Sequence, residues 1–89
     1  MLEKGHYVYM LKCHDGTFYI GYATEIARRV KEHNHSAKGA KYTRGRRPVT
    51  LVYYKMFESK SDALKAEYNL KRKTRLEKEE MAINFGNEN

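Results

Sequence analysis

Three short stretches of the chain carry the apolar and aromatic side chains of strands, and three others settle into helical spacing. Tyr7 to Cys13 (YVYMLKC) is dense in β-branched and aromatic residues and predicts a strand. His14-Asp15-Gly16 follows as a short turn whose glycine tolerates positive φ. Thr17 to Tyr22 (TFYIGY) predicts the returning strand of an antiparallel hairpin. Thr24 is the expected N-cap of a helix from Glu25 to about His33, with Ile26, Arg29, Val30 and His33 on one face. Residues 35–47 predict a basic, mobile loop. Pro48 opens a third strand, Val49 to Phe57, where its missing N–H does least harm. Ser59 to Asp62 offers caps for a helix from Asp62 to about Lys73. Arg75 to Ile83 predicts a last helix that stops before Gly86, leaving a frayed polar tail over 84–89.

The expected architecture is therefore α+β: a three-stranded antiparallel sheet flanked by helices, in the order β-β-α-β-α-α. With 89 residues, one domain with a core over about 6–83 accounts for the whole chain. No apolar run of membrane-spanning length occurs, and the N-terminal residues lack the pattern of a signal peptide. Cys13 stands alone, which excludes an internal disulfide framework and suits a reducing compartment. A soluble cytoplasmic protein, monomer ahead of oligomer, is expected.

Charge changes the picture. Eighteen Lys and Arg against 11 Asp and Glu give a formal charge of +7, an excess that attracts polyanions. Lys38, Lys41, Arg44, Arg46 and Arg47, with Tyr42 among them, form the densest basic stretch. Such a segment suits phosphate contacts with one aromatic available for stacking, or else simply a solvated loop.

Candidate chemistry lies where a side chain disagrees with the face it occupies. Arg29 flanks the inward residues Ile26 and Val30, where its planar fork can meet a phosphate or its stem can cover the core. Glu67 shares the inner face of its helix with Ala63, Ala66 and Leu70, and a buried carboxylate needs a divalent cation or a partner such as Arg29. With a hairpin loop of residues 14–16, Cys13 faces Thr17, Leu11 faces Tyr19 and Tyr9 faces Gly21. Tyr9 and Tyr19 then share one face, and Gly21 leaves room for a ligand to approach the backbone. His33, one turn past Arg29, is a candidate proton carrier or phosphate ligand, or else a packing residue. His33 and His35 are too few for a closed zinc site in a chain with one cysteine.

Tyr7-Val8-Tyr9 followed by Tyr19-Ile20-Gly21 resembles the paired motif of GIY-YIG nucleases. Arg29 follows at the family's spacing, and Glu67 falls on the later helix where the family keeps its metal-binding glutamate. The match covers about Tyr7 to Arg75 and is nearest to small stand-alone bacterial GIY-YIG proteins. The resemblance implies phosphodiester hydrolysis of nucleic acid, DNA ahead of RNA, with one divalent cation. Glu67 would hold Mg²⁺ or Mn²⁺, Arg29 would grip the scissile phosphate, and Tyr9 or Tyr19 would help deprotonate water with His33 assisting. The first motif opens on Tyr7 instead of glycine, and Tyr22 stands where some active members carry lysine. A non-catalytic nucleic-acid-binding module on the same fold is the alternative.

Overall fold

The computed structural model describes residues 3–88. Its elements are β1 (His6–Lys12), β2 (Phe18–Ala23), α1 (Ile26–His35), α2 (Lys41–Arg44), β3 (Thr50–Phe57), α3 (Lys60–Lys71) and α4 (Arg75–Glu88). The sheet order is β2-β1-β3, and β1 runs antiparallel to both neighbours. The hairpin register matches the sequence expectation, with Tyr9 opposite Gly21 and Leu11 opposite Tyr19. The turn closes through Cys13 N–H to Thr17 O at 2.8 Å, with Gly16 at φ +86°. Asp15 steadies it by accepting from the Thr17 amide and hydroxyl.

Strand alternation sends the side chains of β1 into two separate half-cores. Tyr7, Tyr9, Leu11 and Cys13 pack with Ala23, Ile26 and Val49 beneath α1. Val8 and Met10 pack on the opposite face with Ile20, Ala63 and Leu70, covered by α3 and α4. The central strand is thus sealed on both sides, which explains why its sequence is apolar almost without interruption. Cys13 is buried, and burial pushes its thiol above the ordinary range.

Several boundaries differ from expectation. Helix α1 is capped at Glu25 without a side-chain bond, not by Thr24, and runs on to His35. Helix α3 starts at Lys60 because Ser59 is the cap, its hydroxyl accepting from the Asp62 amide. Residues 84–88, expected to fray, continue α4, and Gly86 passes within the helix on an open side. Phe85 holds this last turn by edge contacts with Tyr53 and Tyr54, at ring distances of 5.6 and 5.0 Å. Residue 89 of that tail lies outside the described residues. Among the described residues, no helix is long and apolar enough to cross a membrane.

The largest correction concerns residues 35–47. They are not a mobile loop but are pinned to the C-terminal end of α1. Arg47 donates to three carbonyls there, through Nε to His33 O and through Nη2 to Ser36 O at 2.6 Å and Glu32 O at 3.3 Å. His33 O is one of the carbonyls that a helix end leaves without an amide partner, while Glu32 O and Ser36 O also accept from the Ser36 and Gly39 amides. Asn34 adds a two-way clasp, its side chain bonding both Val49 O at 3.0 Å and Val49 N at 2.7 Å. Gly39 lies flat on the helix, where a Cβ would come within 2.6 Å of Glu32 O and 2.8 Å of His33 Cα. Arg47→Ala is expected to lower unfolding free energy by about 2–3 kcal/mol, as loss of charged donors to half-buried carbonyls implies. Urea titration checks this against Lys41→Ala, whose exposed side chain predicts a change near zero.

Candidate active site

Tyr9 is the centre of the arrangement. It projects from β1 under α1 and is almost wholly buried, its phenolic oxygen 2.8 Å from His33 Nε2. The space that Gly21 leaves open is filled by this phenol, not left for a ligand: a Cβ at Gly21 would lie 2.5 Å from Tyr9 Oη. His33, completely buried, bonds through Nδ1 to Thr43 Oγ1 at 2.9 Å, and Thr43 donates in turn to Ala40 O at 2.9 Å. A hydroxyl has one proton, so Thr43 must receive its hydrogen bond from His33 Nδ1–H. That tautomer leaves Nε2 bare to accept the Tyr9 proton. The Ala40 amide also points at Nδ1, but at 3.4 Å it is too distant to impose the opposite tautomer.

Burial sets the protonation states. Desolvation drives the His33 pKa down to about 4, with the positive charges of Arg29 and Arg47 adding to the effect. Desolvation pushes the Tyr9 phenol upward, with Tyr19 as a second cause and Arg29 pulling the other way. In neutral solution the pair is a neutral phenol donating to a neutral imidazole.

The charged residues approach from opposite faces of the sheet. Arg29, on α1, is within hydrogen-bonding reach of the Tyr9 hydroxyl. Glu67, on α3, adds the smallest of the upward influences on the same phenol. Each already has a partner. Arg29 Nη1 bonds Glu32 and Lys38 O, both at 2.8 Å, and its hydrogen bond holds the Glu32 carboxyl below the usual carboxylate range. Glu67 pairs with Lys71 at 3.3 Å, so its burial is offset by that lysine and not by Arg29. Arg29 opens on a pocket of about 300 Å³ shared with Tyr22, Ala23, Thr24, Glu25, Arg28 and Glu32; Tyr9, Tyr19 and Glu67 are not among its lining residues.

Tyr19 is half-exposed, its ring 5.0 Å from His33 and 6.1 Å from Tyr42. The Arg46 guanidinium lies 3.9 Å above the Tyr42 ring and pairs with Asp15 at 3.0 Å. Of the basic segment, Lys38, Lys41 and Arg44 are exposed with Tyr42, whereas Arg47 is committed to the end of α1. Arg47 is therefore corrected from a phosphate contact to a helix cap. His35 is exposed and separate from His33, which is buried in its network with Tyr9 and Thr43. Tyr22 bonds His6 Nδ1 at 2.8 Å, with the Lys60 ammonium 5.7 Å from its ring. Thr43 was missed by sequence reading, because a threonine in a basic stretch carries no periodic signal; only the short helix α2 turns it inward.

A divalent cation fits this donor set in one form. Among the described residues there is no group of three or more His, Cys, Asp or Glu that could close around a metal. Glu67 offers one carboxylate, which suits a hard ion completed by waters and phosphate oxygens and does not suit zinc.

An α+β fold whose sheet is covered by helices on both faces, with a tyrosine-bearing hairpin, an arginine on the first helix and a glutamate on the third, defines a nuclease-type domain. The GIY-YIG catalytic domain model matches residues 5–80, and the chain belongs to the GIY-YIG family. It is 54% identical over 74 residues to a UPF0213 protein of Halobacterium salinarum, covering 83% of this chain and 95% of that one. A UPF0213 protein of Staphylococcus aureus is 55% identical over 73 residues, covering 82% and 88%. Among solved structures, a protein of E. faecalis determined by solution NMR has a TM-score of 0.63 and 49% identity, covering 94% of this chain and 88% of that one. A UPF0213 protein of Bacillus halodurans has a TM-score of 0.53 and 52% identity, covering 84% and 79%.

Two measurements test the buried pair. Gly21→Ala is expected to push Tyr9 off His33, moving the His33 imidazole resonances in NMR spectra while far-UV circular dichroism stays native. The second is stability against pH. With a folded pKa near 4 and an ordinary value of 6.5, the unfolded chain binds a proton that the native state refuses between those values. Stability is therefore complete above about pH 6.5 and falls as the pH drops toward 4, by on the order of 3 kcal/mol in all. Unfolded carboxylates begin to contribute only below about pH 5. Urea titrations between pH 6.5 and 5 should show a slope that His33→Gln flattens.

Proposed function

We propose that this protein hydrolyses phosphodiester bonds in nucleic acid, with DNA ahead of RNA and little dependence on base sequence. The observation that supports this reading is the buried hydrogen bond from the Tyr9 phenol to His33, with Arg29 on the helix above it and Glu67 on the helix across the sheet. Arg29 exchanges Glu32 for a phosphate oxygen, which its fork can bind in the same plane. Tyr9 accepts a proton from the attacking water as its own passes to His33 Nε2, and Thr43 holds the resulting imidazolium through Nδ1–H. Tyr19 buttresses the imidazole from the solvent side. Glu67 would hold Mg²⁺ or Mn²⁺, which supplies positive charge against the phosphate and the leaving oxygen. Burial holds the proton on the phenol and keeps the imidazole neutral, so the pair rests as neutral donor and neutral acceptor.

A second reading, a binding module without chemistry, draws support from Tyr22, which is tied to His6 and stands in place of a lysine. Incubation with supercoiled, branched and single-stranded DNA and with RNA, with Mg²⁺ or Mn²⁺ and with chelator, separates the two. Hydrolysis predicts metal-dependent cuts that fall by about 10²–10³ in Arg29→Ala and 10²–10⁴ in Tyr9→Phe, and that vanish in Glu67→Ala. Salt-sensitive binding with no cuts, unchanged by Glu67→Ala, establishes the module.

A further inference from the structure

The outward face of α3 adjoins the site just described, through Lys60 beside Tyr22 and Lys71 beside Glu67, but most of it lies outside that site. Every third or fourth residue along it repeats one chemistry: Lys60, Leu64, Tyr68 and Lys71 on one line, with Lys65 and Arg72 beside it. Lys60, Ser61, Leu64, Lys65, Tyr68 and Asn69 line an open groove of about 670 Å³. Tyr68 is 62% exposed and Leu64 41%, so neither is held in place by the core. The Arg72 guanidinium lies 5.5 Å from the Tyr68 ring, with Nη1 at 3.5 Å from its hydroxyl. The groove lining contains lysines and no acid; Glu67 belongs to the inner edge of the helix and Asp62 to its first turn, outside the groove.

We propose that this groove is a second nucleic-acid contact, in which a base stacks on Tyr68 while Lys60, Lys65 and Arg72 meet the flanking phosphates. The inference rests on nucleic acid being the substrate, and adds where the chain of nucleotides runs beyond the reacting phosphate. Two observations select this occupant. The first is charge: an aromatic ring framed by cations and lacking acids is complementary to a phosphodiester backbone with exposed bases. The second is continuity. Lys60 sits at one end of the groove with its ammonium 5.7 Å from the Tyr22 ring, and Tyr22 lines the pocket that contains Arg29. A strand gripped at Arg29, in a pocket that also holds Glu25 and Glu32, reaches the groove by way of Tyr22 and Lys60.

The chain contains no tryptophan, so Tyr68→Trp installs a single reporter in the groove. The full-length variant, confirmed as folded by far-UV circular dichroism, is titrated with a short mixed-sequence DNA oligonucleotide, single-stranded and as duplex. Saturable quenching of the indole that is reversed by salt is expected. Tyr68→Ala should weaken binding about tenfold, as loss of one base–aromatic stack does. Lys60→Ala combined with Lys65→Ala should lower the slope of log Kd against log salt by about 1.5. If the oligonucleotide is bound or cut but the indole is silent and these variants bind like wild type, the groove is not a nucleic-acid contact, while the proposed function stands. An indole emission that shifts with protein concentration alone, with a doubled mass in sedimentation, overturns the proposal in favour of contact between two copies. Failure of the wild-type protein to bind any nucleic acid removes both.

Discussion

The hydrogen bond between Tyr9 and His33 is the interaction on which the molecule turns. It is buried, it joins the central strand to the first helix, and it determines the proton positions of everything attached to it. An unpaired phenol or imidazole at that depth would cost several kcal/mol, so the two groups must be brought together whenever the fold forms. Gly21 makes the approach possible by lacking a side chain, and Thr43 fixes which imidazole nitrogen faces the phenol. The same bond is both a folding constraint and the reason that the pair is poised for proton movement.

The charges around this pair are arranged in a balanced, unreacted state. Arg29 leans on Glu32, Glu67 on Lys71, and Arg46 on Asp15 and the Tyr42 ring. Only the Arg46–Asp15 pair is exposed on both sides, and such a pair contributes little to stability; Arg29–Glu32 and Glu67–Lys71 are partly buried. Arg29 is held in place by Glu32 and by the Lys38 carbonyl. Preorganisation comes from the helix cap at Arg47, which draws the basic segment onto α1 and so presents Lys38, Lys41 and Arg44 from a firm base.

Sequence patterning revealed the architecture because the hairpin and the third strand have side chains that fit only a sheet, and because Ala63, Ala66 and Leu70 mark one face of α3. The pairing of Tyr9 with Gly21 followed from the turn length alone. Local spacing could not show that the glycine gap is filled from within, since this depends on the length of a phenol reaching from β1 over Gly21 of β2 to α1. Nor could it show Arg47 as a cap or Thr43 as a partner of His33, because both roles arise where a segment of irregular spacing folds back on a helix end. Phe85 extended the last helix for the same kind of reason: a distant aromatic contact outweighed the glycine that follows it.

The division of the interior by the sheet has its own consequence. Arg29, Tyr9 and His33 stand on one half-core and Glu67 on the other, and β1 insulates the two packings from one another. Repacking beneath α3 can move the carboxylate while the phenol–imidazole bond is undisturbed, and the reverse holds beneath α1. The domain is modular across its thickness, so the packing around Glu67 and the packing around Tyr9 and His33 are open to independent redesign or independent decay.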